Sequence, residues 1–266
     1  MDDLNDWLYF AEELGQWAVD YIGSHQATDI STKAGPADFV TETDRAVERH
    51  VREQVAEHYP DHAVMGEEYG AAGPEEAKLR WFVDPVDGTT NYAHGLPWSS
   101  FSLGLVDAEG PAVGVVADPY RSEIFSAVRG GGARLNGIPV RCSNATDLAG
   151  SVVLTELAGY RGWDGLHPMM ATLAAAQSTT RIMGSSALSV VAAAVGRADA
   201  VVLGGYNTWD VVAAVLIARE TGARVLGADG ADLALVPSSA DGGLLAAAPG
   251  IADAVHAAWR GGSAGQ

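Results

Sequence analysis

Two aspartates stand three residues apart in Asp84-Pro85-Val86-Asp87-Gly88-Thr89-Thr90, directly after the apolar triplet Trp81-Phe82-Val83. Pro85 fixes φ between them, Gly88 lets the chain turn tightly, and the two threonines offer hydroxyls and backbone N–H groups. Carboxylates with a peptide carbonyl at Val86 are oxygen donors for a hard divalent cation, and N–H groups beside them suit a phosphate. Asp-Pro and Asp-Gly are also ordinary turn formers. This segment alone leaves a metal site and a plain turn equally open.

Further carboxylates raise the same question. Gly66-Glu67-Glu68 follows the apolar run Ala63-Val64-Met65, a plausible strand end; taken alone, a solvated acidic turn is the simpler account. Asp210, in Trp209-Asp210-Val211-Val212-Ala213-Ala214, falls in the first turn of a helix, where an aspartate complements the dipole anyway. Asp44, in Thr41-Glu42-Thr43-Asp44, fits a capping box. Each position has a local explanation. Only the joint pattern argues for a shared site.

The elements that must position these acids can be read coarsely. Leu4, Trp7, Leu8, Ala11, Leu14, Ala18, Tyr21 and Ile22 predict an amphipathic helix over 3–22 with Gly23 as its stop. A loop over 28–40 and a second helix from Glu42 to His58 follow, then a short buried strand at 81–83 that ends at the aspartates. Ser99–Val106, Ala112–Ala117 and Glu123–Val128 read as strands, and Asn136-Gly137 as a hairpin turn after glycines 130–132. From about residue 147 strands and helices alternate: strands at 151–155, 179–182, 199–203 and 224–226, helices at 168–176, 185–195 and 209–220. This is an α+β half over 1–146 followed by an α/β half over 147–266, together one compact unit. The tail GGSAGQ is expected to fray.

Composition narrows the functional classes. The 266 residues carry 34 acidic and 16 basic side chains, a net charge of −18, which argues against broad contact with nucleic acid or an anionic membrane. The only lysines are Lys33 and Lys78, far apart. The single cysteine, Cys142, excludes an intramolecular disulfide and a multi-cysteine zinc site. The acidic start MDDLNDWLYF lacks the positive region of a signal peptide, and no apolar run reaches the roughly 18 residues of a membrane span. A soluble cytoplasmic protein is the expectation.

GEE at 66–68, WFVDPVDGTTNYAHG at 81–95 and WDVVAAVLIARETGA at 209–223 closely resemble the inositol monophosphatase family, with both signature segments in order. KAGPADFVTET at 33–43 resembles the family's N-terminal loop, and the resemblance runs from about residue 10 to 255. It implies a layered αβαβα sandwich of the inositol monophosphatase and fructose-1,6-bisphosphatase kind, and magnesium-dependent phosphomonoester hydrolysis. Carried over by position, Glu67, Asp84 and the Val86 carbonyl hold one Mg²⁺; Asp84, Asp87 and Asp210 hold a second, in a site of two or three ions. Thr89, held by Asp44, orients a metal-activated water, with Glu67 part of the same catalytic set. The backbone at Gly88 and Thr89 grips phosphate. Asp87, Thr90, Gly184, Ser185, Ser186 and Asp210 complete the phosphate and substrate contacts. Lys33 sits on the mobile loop and Glu68 supports the site through water. A homodimer is implied as well.

The sequence departs from the family at the substrate. Where a glutamate seven positions before the WD aspartate contacts ring hydroxyls, this chain has Leu203, which cannot accept those hydrogen bonds. Tyr206 or Asn207 is a substitute candidate. A small polyol or cyclitol phosphate such as inositol 1-phosphate is therefore the leading substrate class. Histidinol phosphate, less favoured because that branch often has lysine at Thr90, and fructose 1,6-bisphosphate are the alternatives. A regulatory binding module is the non-enzymatic one. His58 and His62 have HxxxH spacing broken by Pro60; His94 reads as structural, and His25, His50, His167 and His256 as surface residues. Trp209 is expected to pack a helix start, and Cys142 to be half-buried.

Overall fold

The computed structural model describes residues 2–33, 35–158 and 161–263. The first helix, α1 (Asp2–Ser24), buries Phe10, Ala11, Leu14, Ala18 and Ile22 along the stripe its spacing predicts, and carries on one residue past Gly23. A two-stranded ribbon, β1 (Ser31–Thr32) and β2 (Phe39–Val40), brackets the loop that holds Lys33. Helix α2 (Glu42–His58) has the predicted ends. Thr41 is the N-cap, and the Thr41–Asp44 capping box is formed in both directions. Pro60 then prevents continuation.

The next strands are β3 (Ala63–Gly66), β4 (Gly70–Ala72) and β5 (Arg80–Asp87), and a single turn of helix, α3 (Thr89–Ala93), follows at once. β6 (Ser100–Asp107), β7 (Gly110–Asp118), β8 (Glu123–Val128), β9 (Gly132–Leu135) and β10 (Ile138–Pro139) complete an eight-stranded sheet of order β10-β9-β8-β7-β6-β5-β3-β4. Only the β3–β5 pairing is parallel. The strand expected to stop at Val83 instead runs through both aspartates. Asp84 pairs with Ser102 and Asp87 with Ser100, and the register shifts between the two pairs. Pro85 sits in that irregularity, where a missing ladder N–H is tolerated, and Val86 is fully buried. Asn136-Gly137 is the two-residue turn of the β9–β10 hairpin, both residues at positive φ.

The second sheet has order β12-β11-β13-β15-β14. It comprises β11 (Val152–Thr155), β12 (Thr179–Ile182), β13 (Ala200–Leu203), β14 (Arg224–Gly227) and β15 (Leu244–Ala247), with helices α4 (Leu166–Ala175), α5 (Ser186–Ala194), α6 (Thr208–Glu220) and α7 (Ala252–Ser263). β11 is parallel to β12 and β13, and β15 runs antiparallel between β13 and β14. β15 and α7 have no counterpart in the sequence reading. α7 extends into the GGSAGQ tail as far as Ser263, and Ala264–Gln266 lie outside the described residues.

Five layers result. α1 and α2 cover one face of the large sheet, α5 and α6 fill the space between the sheets, and α4 and α7 cover the far face of the small sheet. This is the αβαβα sandwich. Helix α6 buries every residue from Val211 to Ala218 because it has a sheet on both sides. It also lies very close to β7: a Cβ on Gly114 would stand 2.7 Å from the Ala213 carbonyl oxygen. Gly114→Ala is therefore expected to cost about 1–3 kcal/mol by overpacking, read as a lower urea midpoint at unchanged slope. An unchanged midpoint would show that α6 is not seated this way.

Candidate metal and phosphate site

Asp84 and Asp87 lie on the last part of β5, 3% and 7% exposed, and Asp44 in the first turn of α2 is fully enclosed. Asp84 Oδ1 accepts the Val86 N–H at 3.1 Å. Asp87 is held from α5: the Ser185 hydroxyl donates to Oδ2, the Ser186 N–H to Oδ1 at 3.1 Å and the Ala187 N–H to Oδ2 at 2.8 Å. Asp44 Oδ2 takes the Thr41 N–H at 2.9 Å and the Thr41 hydroxyl at 2.5 Å. Its other oxygen, Oδ1, accepts the Thr89 hydroxyl at 3.1 Å, and that hydroxyl also lies 3.0 Å from the Val86 carbonyl. The capping box thus secures one oxygen of Asp44 and leaves the other for the site.

Asp210 enters from the second sheet's side of the molecule. It is the third residue of α6 and accepts the Asn207 N–H at 2.7 Å, the return bond of a capping box. The local account of Asp210 is therefore correct, but incomplete, because its charge also acts on Asp84. Gly88, between β5 and α3, has φ +89°, and a Cβ there would stand 2.6 Å from the Gly184 carbonyl oxygen. No other residue fits that junction. Thr90 is exposed beside it.

Electrostatics mark these acids as a group. Burial pushes the Asp84 carboxyl well above the usual carboxylate range, and the charges of Glu67, Asp87 and Asp210 add to it. Asp210 is raised strongly too, by burial and then by Asp87. Burial moves Asp87 up to about 6, against the hydrogen bonds of Ser185 and the α5 amides. Asp44 is raised by burial and pulled back by its Thr41 and Thr89 bonds. One side chain brings in a positive charge. Lys33 Nζ lies 2.7 Å from Glu67 Oε1 and 2.5 Å from Glu68 Oε1. Burial lowers the Lys33 pKa, but Glu67 and Glu68 outweigh it and the net shift is upward. Glu68 nonetheless rises to about 7, because burial dominates and one ammonium cannot neutralise two carboxylates with Asp44 also near.

Among the described residues no three His, Cys, Asp or Glu side chains are drawn close enough to enclose an ion as they stand. Each acid is instead turned onto a protein donor, Glu67 onto Lys33 and Asp87 onto α5. The donor set still suits a hard divalent cation. It is all oxygen, it is crowded with unneutralised negative charge, and an ammonium already serves as its internal counter-ion.

Beside Asp87 a cavity of about 400 Å³ is lined by Thr90, Asn91, Leu157, Ile182, Gly184 and Ser186, among others. Two supports escape sequence reasoning. Glu48, buried on α2, pairs with Arg52 and accepts the N–H groups of Glu68 at 2.7 Å and Tyr69 at 3.1 Å, fixing the turn that carries Glu67. Its presence on the apolar stripe of Val51 and Val55 is the signal that could have shown it. Asn91 Nδ2 donates at 2.7 Å to both the Trp98 and the Met183 carbonyls, tying α3 to the approach to α5.

A model of the inositol monophosphatase family matches residues 4–261. The chain belongs to that family. It is 39% identical over 216 residues to the Nus factor SuhB of Pasteurella multocida, covering 80% of this chain and 79% of that one. It is 37% identical to the inositol-1-monophosphatase of Synechocystis, over 84% and 79% of the two chains. Among solved structures, the inositol monophosphatase of Anabaena superposes with a TM-score of 0.82 at 31% identity, covering 97% of each chain. An IMPase of Thermotoga maritima gives 0.84 at 28%, covering 98% of each.

In this member of the inositol monophosphatase family, the position expected to meet substrate hydroxyls is a leucine. Leu203 is fully buried in the core, where it packs as an apolar side chain. Tyr206 does not supply a free hydroxyl in its place, since its OH lies 3.2 Å from Asp241 Oδ2, and Asn207 caps α6. The histidines separate cleanly. His94 Nδ1 lies 2.8 Å from the Thr90 carbonyl. His58 and His62 belong to the aromatic cluster of Phe10, Tyr59 and Trp81. His25 and His167 are exposed as expected, whereas His50 and His256 are half-buried, stacked on Trp17 and bonded near Ala228 respectively. Cys142 is half-buried. Trp209 is half-buried at the start of α6, its carbonyl taking the Ser102 hydroxyl.

The raised carboxyl pKa values have a direct consequence for the metal-free protein. Protonation favours the folded chain, so the stabilisation is complete below the ordinary carboxylate pKa. It is lost as pH rises through the folded values, about 6 for Asp87. Asp84→Asn, which removes the most central charge, is expected to raise the Tm of EDTA-treated protein at pH 7 by about 2–4 °C. The gain should vanish toward pH 4. A lower Tm at pH 7 would contradict the repulsion.

Proposed function

We propose that the chain is a magnesium-dependent phosphomonoesterase acting on a small polyol or cyclitol phosphate such as inositol 1-phosphate. The supporting observation is the buried group of Asp84, Asp87 and Asp44 joined to a threonine hydroxyl that contacts both Asp44 and the Val86 carbonyl. In this reading Glu67, Asp84 and the Val86 carbonyl hold one Mg²⁺, and Asp84, Asp87 and Asp210 a second, in a site of two or three ions. Bound Mg²⁺ neutralises phosphate charge and lowers the pKa of a coordinated water by several units.

The chain's own residues supply the remaining chemistry. Thr89 Oγ1 gives its proton to Asp44 Oδ1, so its lone pairs face outward to accept a hydrogen bond from the attacking water. That fixes the water's orientation. Asp44, with its carboxyl pKa raised by burial, is suited to accept the Thr89 hydroxyl proton as Thr89 takes one from the water. The first N–H groups of α3 have no partner within the helix, and those at Gly88 and Thr89 hold the phosphate oxygens. The leaving alcohol occupies the cavity lined by Thr90, Gly184 and Ser186. Phosphoryl transfer requires alignment and charge neutralisation more than a protein nucleophile.

The same reading makes residues 1–146 and 147–266 two halves of one unit, each contributing ligands. The resemblance also supports a homodimer. No helix among the described residues is long and apolar enough to cross a membrane. A second reading, a Nus factor role, is favoured by the name of the Pasteurella relative. The net charge of −18 argues that such a role would run through protein rather than RNA.

Phosphate release from inositol 1-phosphate, histidinol phosphate and fructose 1,6-bisphosphate, with and without Mg²⁺, tests the reading, with inositol 1-phosphate expected to lead. Asp84→Asn should lower kcat about 1000-fold, and Thr89→Ala about 100-fold. Wild-type turnover by the Asp84 variant would overturn it. No Mg²⁺-dependent release from any ester, with a protein partner retained by that variant, would favour the second reading.

A further inference from the structure

One buried acid takes no part in the chemistry above. Glu156 is the residue after β11, 5% exposed, at the back of the cavity beside Asp87. Its backbone is anchored: the Trp163 indole donates to its carbonyl at 2.8 Å, and the preceding Thr155 hydroxyl to the Val202 carbonyl at 2.7 Å. Its carboxylate accepts the Gly184 N–H on Oε2 and the Ser189 hydroxyl on Oε1, both at 2.6 Å.

Those partners flank the segment that holds Asp87. Gly184 is tied to Glu156, Ser185, Ser186 and Ala187 are tied to Asp87, and Leu188 N–H returns to the Ser185 hydroxyl at 3.2 Å. The turn into α5 is thus bonded to two carboxylates, Glu156 and Asp87. A second buried acid beside a crowded acidic site is unfavourable unless its hydrogen bonds repay it. Burial brings the Glu156 carboxyl up to about 7, and Asp87 contributes to the rise.

We propose that Glu156 is a positioning residue: by fastening Gly184 and Ser189 it fixes the 184–187 turn, and through that turn the orientation of the Asp87 carboxylate. The part of this proposal that concerns metal rests on the phosphatase reading; the part that concerns the turn does not.

Two substitutions separate geometry from charge. Glu156→Gln keeps an oxygen for the Gly184 N–H and offers its amide to the Ser189 hydroxyl, whereas Glu156→Ala removes both bonds. In Glu156→Ala, amide exchange over 184–187 should quicken about tenfold, with α1 and α2 unchanged. Mg²⁺, titrated calorimetrically, should bind about tenfold more weakly. Glu156→Gln should stay within about threefold of wild type in both. Should the alanine variant not fold, Ser189→Ala removes one of the two bonds and is expected to show the same changes at about threefold. Unchanged exchange over 184–187 overturns the proposal, whatever the wild-type chain hydrolyses. Faster exchange with unaltered Mg²⁺ affinity overturns the link to Asp87. A glutamine variant as impaired as the alanine one overturns positioning in favour of charge. A wild-type chain that binds no Mg²⁺ would count against the phosphatase reading, and the exchange measurement would still decide the turn.

Discussion

Like charge held together away from water is the constraint around which the molecule is arranged. Asp84, Asp87, Asp44 and Asp210 would ionise and separate in an open chain; folding brings them together, and burial makes their proximity more costly still. The surrounding structure offsets that cost one donor at a time: the amides entering α5 for Asp87, the capping turn for Asp44, the Asn207 amide for Asp210. Lys33 supplies a positive charge from the loop. None of these donors removes the repulsion. They hold its geometry, leaving a strongly negative site that a cation relieves.

The architecture follows from bringing those donors together. β5 carries two of the acids, three positions apart, across a register shift; strict alternation would send positions three apart to opposite faces. α5 begins at that shift and presents the Ser186 and Ala187 amides to Asp87, while α6 brings Asp210 in its first turn. Gly114 lets α6, the helix that carries Asp210, lie close against β7. The grouped acids come from parts remote in sequence, and the αβαβα layering is what makes them neighbours.

Local signals are legible in the order of residues alone. Thr41 with Asp44 and Pro60 bound α2 at both ends, Asn136-Gly137 is the hairpin turn, and β8 and β12 coincide with the residues that their patterns predict. The acids of the site are legible through their motifs. What cannot be read this way depends on partners far along the chain. β5 continues past Val83 because Ser100 and Ser102 lie opposite, and β15 gives no signal because Leu244–Ala247 is a short apolar run with no alternation. Glu48 and Glu156 escape for the same reason, each accepting backbone N–H groups 20 to 28 positions away. By residue type Leu203 suggests a changed pocket wall; its full burial makes it a core residue, a distinction that burial decides and residue type does not.

The middle layer has a consequence for how the chain is made. The large sheet is complete once residue 139 has been synthesised, yet one of its faces is covered only by α5 and α6, which come later. A nascent chain emerging amino end first therefore carries an unroofed apolar sheet, with Gly104 and Gly114 bare, until α6 closes at Glu220. The same event delivers Asp210, the last acid of the site. Shelter for the sheet and assembly of the charged centre are one step in the life of the polypeptide, and no shorter product of the ribosome has either.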